Sequence, residues 1–475
     1  MNSDKLYAFC DETWERQIVP QLIDYIKIPN KSPMFDAEWE HHGYMREALD
    51  LIEHWVRAQP ITGMQVERIQ MPGRTPLLFI DIPGKGDDTI LMYGHMDKQP
   101  EMVGWNTDLA AWKPVLIGDR LYGRGGADDG YATFASLTAV MALKERGIDH
   151  SRVVVMIEAC EESGSYDLPF YINHLANRIG TPSLVICLDS GCGNYDQLWL
   201  TTSLRGLAGG KLKVKVLEEG VHSGDASGIV PSSFRVLRQL LERIEDASTG
   251  RIKADVLHVD IPAERIAQAK ECVAVLGSHV YDKFPWPEGM RPMDEDLTQM
   301  VLNRTWEPTL SVTGVDGLPD LGSAGNVLRP QTSVMLSVRL PPTLDPVLAS
   351  SRLKQILEKD PPYGAKVEFE VEKSSAGWAA PTLQPWLADT IDTASKTYFG
   401  PRSAAMGEGG TIPFMSMLQE RFPQSQFVVT GLLGPKSNAH GPNEFLHIPT
   451  GKKLTAAMAK VMSDHYVNRG TPAAA

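Results

Sequence analysis

Apolar residues recur at three- and four-residue intervals in WERQIVPQLIDYIKI (14–28) and EWEHHGYMREALDLIEHWVRAQ (38–59), which predicts amphipathic helices over the first sixty positions. The period then changes. MQVERI (64–69) and PLLFIDIPG (76–84) read as strands, and TILMYGHMD (89–97) is a nearly unbroken apolar run that ends in polar residues. VVVMIEACEE (153–162), SLVICLDS (183–190) and QFVVTGLLG (426–434) repeat that form, with helical segments over 131–146, 166–178 and 384–398. Short buried strands alternating with helices predict an α/β sheet covered on both faces.

A second style begins near residue 206. KLKVKVLE (211–218) alternates apolar and charged positions, as a strand with one wet face does. A helix at 232–246, strands at 309–315 and 333–340, a helix at 346–359 and a strand at 365–373 complete a β-α-β-β-α-β order. The expectation is a catalytic α/β domain (1–205 and 377–475) interrupted by an inserted α+β, ferredoxin-like domain (206–376), itself carrying an insertion over about 247–305. No internal repeat appears, and the TPAAA tail is the one short biased tract.

Composition narrows the function. A chain of 475 residues with 46 Lys plus Arg against 59 Asp plus Glu carries a net charge of −13. That balance argues against a nucleic-acid partner, because phosphate binding needs a basic surface. No run approaches the ~20 apolar residues of a membrane span. The N-terminus MNSDKLYAFCDETWER is too charged for a signal peptide. Five cysteines without CxxC spacing fit a reducing compartment, and the expected location is cytoplasmic.

Three of the apolar runs end in metal-ligand residue types: His95 with Asp97, Glu161 with Glu162, and Asp189. Parallel α/β sheets gather ligands at the carboxyl ends of their strands, so these residues can meet in one crevice. In GHMD, Asp97 can accept a hydrogen bond from the His95 ring and so fix its tautomer. YGRGGADDG (122–130) is a glycine-rich turn that presents Asp128 and Asp129, and NAHGPNE (438–444) offers His440. Two histidines and three or four carboxylates suit two divalent ions, with zinc favoured and manganese or cobalt also compatible. Two ions bridged by a carboxylate ~4 Å apart can activate a water and polarise a scissile carbonyl. The absence of a GxSxG elbow argues against the serine-hydrolase alternative.

GHMD, YGRGGADDG, EESGS, LDSG and HGPNE, in this order, resemble the dinuclear-zinc exopeptidase family that includes carnosinase-type dipeptidases, carboxypeptidase G and succinyl-diaminopimelate desuccinylase. The resemblance implies a zinc-exopeptidase-like mixed sheet flanked by helices, with an inserted lid and dimerisation domain. It implies one ion held by His95, Asp128 and Asp189, and another by Asp128, Glu162 and His440. Glu161 would be the general base, and a cis peptide is expected at Asp128–Asp129. Where many relatives continue DDKG this chain has DDGY, with Gly130 at a position that is no ligand. VHSGDASG (221–228) is similar to the segment whose histidine, here His222, reaches a dimer partner's site to steady an oxyanion. GNVLRP (325–330), SVRLPP (337–342) and GEGGTIP (407–413) resemble the substrate-binding segments, which implies roles for Asn326, Arg339, Gly409, Gly410 and Thr411. The implied substrate is a small peptide with a free carboxylate, or alternatively an N-acyl amino acid, cleaved by a homodimer.

Overall fold

The computed structural model describes residues 2–468, so the TPAAA tail lies outside the described residues. Two compact units emerge, one of Met1–Thr202, Ala380–Met406 and Met417–Ala475, the other of Ser203–Ala379 and Gly407–Ser416.

The first unit is built on a six-stranded mixed sheet. Its order is Gln65–Ile69, Leu77–Ile82, Arg152–Glu158, Thr89–His95, Leu184–Cys187 and Gln426–Val429. The first two strands run antiparallel, whereas the last four are parallel to one another. All seven positions of Thr89–His95 are buried, which is why the run reads as continuously apolar. Because the four parallel strands point the same way, their carboxyl ends share one edge, and each apolar run leaves its polar residues there.

Several elements depart from the pattern-based expectation. Gly43 sits at φ +76 and splits the helix expected over 38–59 into Trp39–His42 and Tyr44–Ala58. The strand expected over 153–162 stops at Glu158, and Glu161–Ser163 form a separate helical turn. Helix Ile448–Asn468 had no sequence signature, since Thr450, Gly451, Lys452, Thr455 and several alanines fill buried positions and blunt its apolar periodicity. Gly451 has a packing reason: a Cβ there would lie 2.4 Å from the Trp14 ring. Trp14 is itself fully buried, with its indole N–H donated to Thr455 Oγ1 at 2.9 Å.

The second unit carries a four-stranded antiparallel sheet in the order Thr309–Asp316, Gln331–Leu340, Gly206–Lys215, Lys366–Ser375. Helices Ser233–Leu241 and Pro346–Glu358 bury Val236, Leu237, Leu240, Leu353 and Leu357 in one core with Leu212, Val214, Leu336 and Phe369. Strand order and helix placement are those of a ferredoxin-like α+β unit. The expected boundaries at 205 and 376 shift slightly. Residues 407–416, expected in the catalytic domain, group with this second unit because Arg205 and Arg339 hold them there.

Candidate metal centre

His95 ends the central strand and is buried at 1% exposure. Its Nδ1 lies 3.0 Å from the backbone oxygen of Asp97. A carbonyl only accepts, so Nδ1 donates to it, and Nε2 faces Asp128 Oδ1 at 3.3 Å and Asp189 Oδ2 at 3.6 Å. Asp189 stands two residues beyond the neighbouring strand Leu184–Cys187. Asp128 lies in the glycine turn, where the Asp128–Asp129 peptide is cis, and its other oxygen is 3.1 Å from His440 Nε2. Glu162 Oε2 is 3.3 Å from the same nitrogen and accepts a 2.6 Å hydrogen bond from Gln99. Two donor sets result, His95–Asp128–Asp189 and Asp128–Glu162–His440, each with its ligand atoms within 4.8 Å of one another and Asp128 common to both.

Asp97 is placed otherwise than the sequence suggested. Its carboxylate is 3.6 Å from the His95 ring nitrogen, and the ring is held by the Asp97 backbone instead. The carboxylate oxygens accept the backbone N–H groups of Glu161 and Glu162 at 3.1 and 3.0 Å. Asp97 thus fixes the turn that presents both glutamates.

The electrostatics describe a crowd of like charges in a low-dielectric pocket. Burial, reinforced by Asp189, drives the Glu161 carboxyl well above its usual range, and burial beside Asp128 does the same to Glu162. Asp189 is raised by burial as well. Burial would lower His95 and His440, but the surrounding carboxylates outweigh it and raise both. Asp128, placed between the two imidazoles, is held below its usual range despite its burial. Positive charge at the two foci relieves this repulsion, and nitrogen and oxygen donors without thiolate suit zinc-like divalent ions. The residues present fit a pair of such ions.

Four further residues shape the site, and of these the sequence singled out Asp129 alone. Glu158, inside the strand, accepts from Tyr93 Oη at 2.5 Å and Ser165 Oγ at 2.8 Å, and burial lifts it to about 7. Asp129 is fully buried and accepts the His95 backbone N–H. Arg124 and Glu444 form a buried ion pair. Glu444 and Arg124 both stood in quoted motifs, yet 320 residues separate them and no local spacing could pair them.

In the second unit, Arg339 donates to Thr411 Oγ1 at 3.1 Å, and Thr411 hydrogen-bonds the Arg205 carbonyl. Arg205 spends its guanidinium on the carbonyls of Gly409, Asn303 and Glu307 and on Thr309 Oγ1. The turn bearing Gly409, Gly410 and Thr411 is therefore pinned from below by Arg205, a residue the sequence reading passed over. His222, on the short strand Val221–His222, and Asn326, just before its partner strand Val327–Leu328, are both exposed, and the Asn326 carbonyl accepts the Ser223 N–H at 2.9 Å.

Overlapping His and carboxylate donor sets at the carboxyl edge of a mixed sheet, with a glutamate beside them, define a metal-dependent hydrolase. The comparison with known families names the class: the model of peptidase family M20/M25/M40 matches residues 91–464, and the chain belongs to that family. It is 25% identical over 366 residues to the cysteinylglycine-S-conjugate dipeptidase of Corynebacterium striatum, covering 75% of this chain and 76% of that one. It is 27% identical over 405 residues to the Beta-Ala-His dipeptidase of Homo sapiens, covering 79% and 74%. The solved structure of the Saccharomyces cerevisiae di-peptidase Dug1p superposes with a TM-score of 0.77 at 21% identity, covering 98% of this chain and 99% of that one. Among the described residues no helix is long and apolar enough to cross a membrane. All five cysteines are buried.

Proposed function

We propose that this protein hydrolyses the peptide bond of a dipeptide, or of a similarly small peptide with a free carboxylate, with two zinc ions as cofactors and Glu161 as the general base. The observation that carries the reading is the pair of donor sets sharing Asp128. Both relatives named above are dipeptidases by name.

When bound, the two cations would lower the pKa of the attacking water and polarise the scissile carbonyl. Glu161 takes the proton of that water and returns it to the leaving amine nitrogen. Burial raises the Glu161 carboxyl above its usual range, which favours acceptance of a proton over that by a solvated carboxylate. Asp97 steadies Glu161 and Glu162 together through their backbone N–H groups. Asp128 bridges the foci, with His95 and Asp189 completing one and Glu162 and His440 the other. In the second unit we assign Arg339 to the substrate carboxylate, because a guanidinium binds a carboxylate bidentately. Asn326, Gly409, Gly410 and Thr411 are assigned to substrate contacts, and His222 to oxyanion stabilisation across a homodimer formed through that unit. These assignments rest on the motif resemblance and, for the turn, on the Arg205–Thr411–Arg339 network.

The test is Glu161→Gln, which keeps size and removes the base. Metal content should stay at two ions per chain while kcat on a dipeptide falls about 10²- to 10⁴-fold, the usual contribution of general-base catalysis. Full activity in the variant would refute the role of Glu161. Turnover of N-acyl amino acids but of no dipeptide would refute the substrate class.

A further inference from the structure

The buried pair Arg124–Glu444 takes no part in the chemistry above, yet it joins the two loops that must meet at one focus. Arg124 lies four residues before Asp128, and Glu444 four residues after His440. Their side chains are 1% and 0% exposed, with Nη1 2.5 Å from Oε2. The remaining bonds all run between loops. Arg124 Nη2 donates to the Gly441 carbonyl at 2.7 Å and Nε to the Pro100 carbonyl at 3.2 Å. Glu444 Oε1 accepts the Gly125 N–H at 2.9 Å, and the Glu444 carbonyl accepts the Gly123 N–H at 3.0 Å. One guanidinium and one carboxylate therefore tie together segments 95–100, 122–130 and 438–444.

The loop they hold is not one that the chain adopts unaided. Asn438, His440 and Asn443 all have left-handed φ, at +55, +64 and +63. Non-glycine residues persist there only where surrounding contacts over-determine the backbone. His95 and Asp189, in contrast, are placed by the ends of two buried neighbouring strands. The two foci thus differ in how their ligands are held: one largely by the sheet, the other by a loop and its clamp.

We propose that Arg124 and Glu444 are positioning residues for the Asp128–Glu162–His440 focus. The pair fixes the distance between the glycine turn and the His440 loop, and so sets the affinity for the second cation while leaving the His95–Asp128–Asp189 focus nearly unchanged. A charged pair suits this task better than an apolar one, because the planar guanidinium fork fixes separation and orientation together. The proposal rests on the two-cation reading above.

The test uses the full-length protein and the variants Glu444→Gln and Arg124→Lys, with Arg124→Met/Glu444→Leu as a pair that removes both charges. Zinc binding is read by competition with a chromophoric chelator. Wild type should bind two ions, and the variants should keep one at wild-type affinity and bind the other about 10- to 100-fold more weakly, the usual effect of losing a residue that orients a ligand. Activity at limiting zinc should fall and recover in excess zinc, with KM unchanged. Wild-type affinity for both ions, or equal weakening of both, overturns the proposal. Hydrogen exchange of segment 438–444 in metal-free protein is the independent readout. It should quicken in every variant, and unchanged exchange overturns the clamp by itself. A wild-type chain that binds no pair of zinc ions refutes the proposed function instead, and the exchange measurement still decides the clamp.

Discussion

Replacing Asp97 by asparagine separates two tasks: holding the His95 ring and fixing the Glu161–Glu162 turn. The carboxylate accepts two backbone N–H groups, from Glu161 at 3.1 Å and Glu162 at 3.0 Å. Asparagine offers one oxygen of similar placement and one NH₂, which must then face a second N–H. One charge-assisted bond is lost outright and the other becomes neutral. A hydrogen bond to a charged group contributes about 1.5–3 kcal/mol. Losing one while Glu161 must hold its place costs about that much in the transition state, or roughly 10- to 150-fold in kcat. The His95 ring should be spared, because its Nδ1 is held by the Asp97 backbone at 3.0 Å and the carboxylate lies at 3.6 Å. The assay is steady-state kinetics on a dipeptide, with metal content measured on the same sample. The expected result is a lower kcat with two ions retained and no rescue by added zinc. If kcat is unchanged, or if the loss is cured by excess zinc, the carboxylate serves the His95 ligand and the geometric argument is wrong.

Two other outcomes follow from the same structure. Chelation of the metals should destabilise the protein, since ligands bound only to the native state stabilise it by about 2.7 kcal/mol at a free concentration 100 times Kd. A calorimetric scan with and without chelator checks this, and an unchanged Tm would show that the carboxylate cluster does not rely on cations. Trp14→Ala should cost about 3–5 kcal/mol, because it empties a fully buried site against Gly451 and removes the indole bond to Thr455 Oγ1. Urea titration measures it, and a loss below about 1 kcal/mol would mean that the C-terminal helix closes over the gap.

The chain announced much of this through local pattern. Continuous apolar runs for buried parallel strands, and alternating ones for the open sheet of the second unit, are direct consequences of which faces each strand hides. Residue type at the ends of apolar runs drew out His95, Glu162 and Asp189, and the glycine turn, the HGPNE segment and the family resemblance added Asp128 and His440 as candidate ligands. Pattern failed where burial does not follow hydrophobicity. Helix Ile448–Asn468 was silent because small and polar residues line its buried side. The break at Gly43 was read through because the apolar spacing continues across it.

What only the folded chain decided is pairing over long separations. Sequence could list Asp97 beside His95, but not that its carboxylate turns toward Glu161 and Glu162, which lie 64 and 65 positions away. Nor could it join Arg124 to Glu444, or give residues 407–416 to the second unit through Arg205. Periodicity records which side of an element is buried, a property of neighbours a few residues apart. A hydrogen bond across hundreds of residues depends on how the elements pack, and nothing in the local order of amino acids encodes that distance.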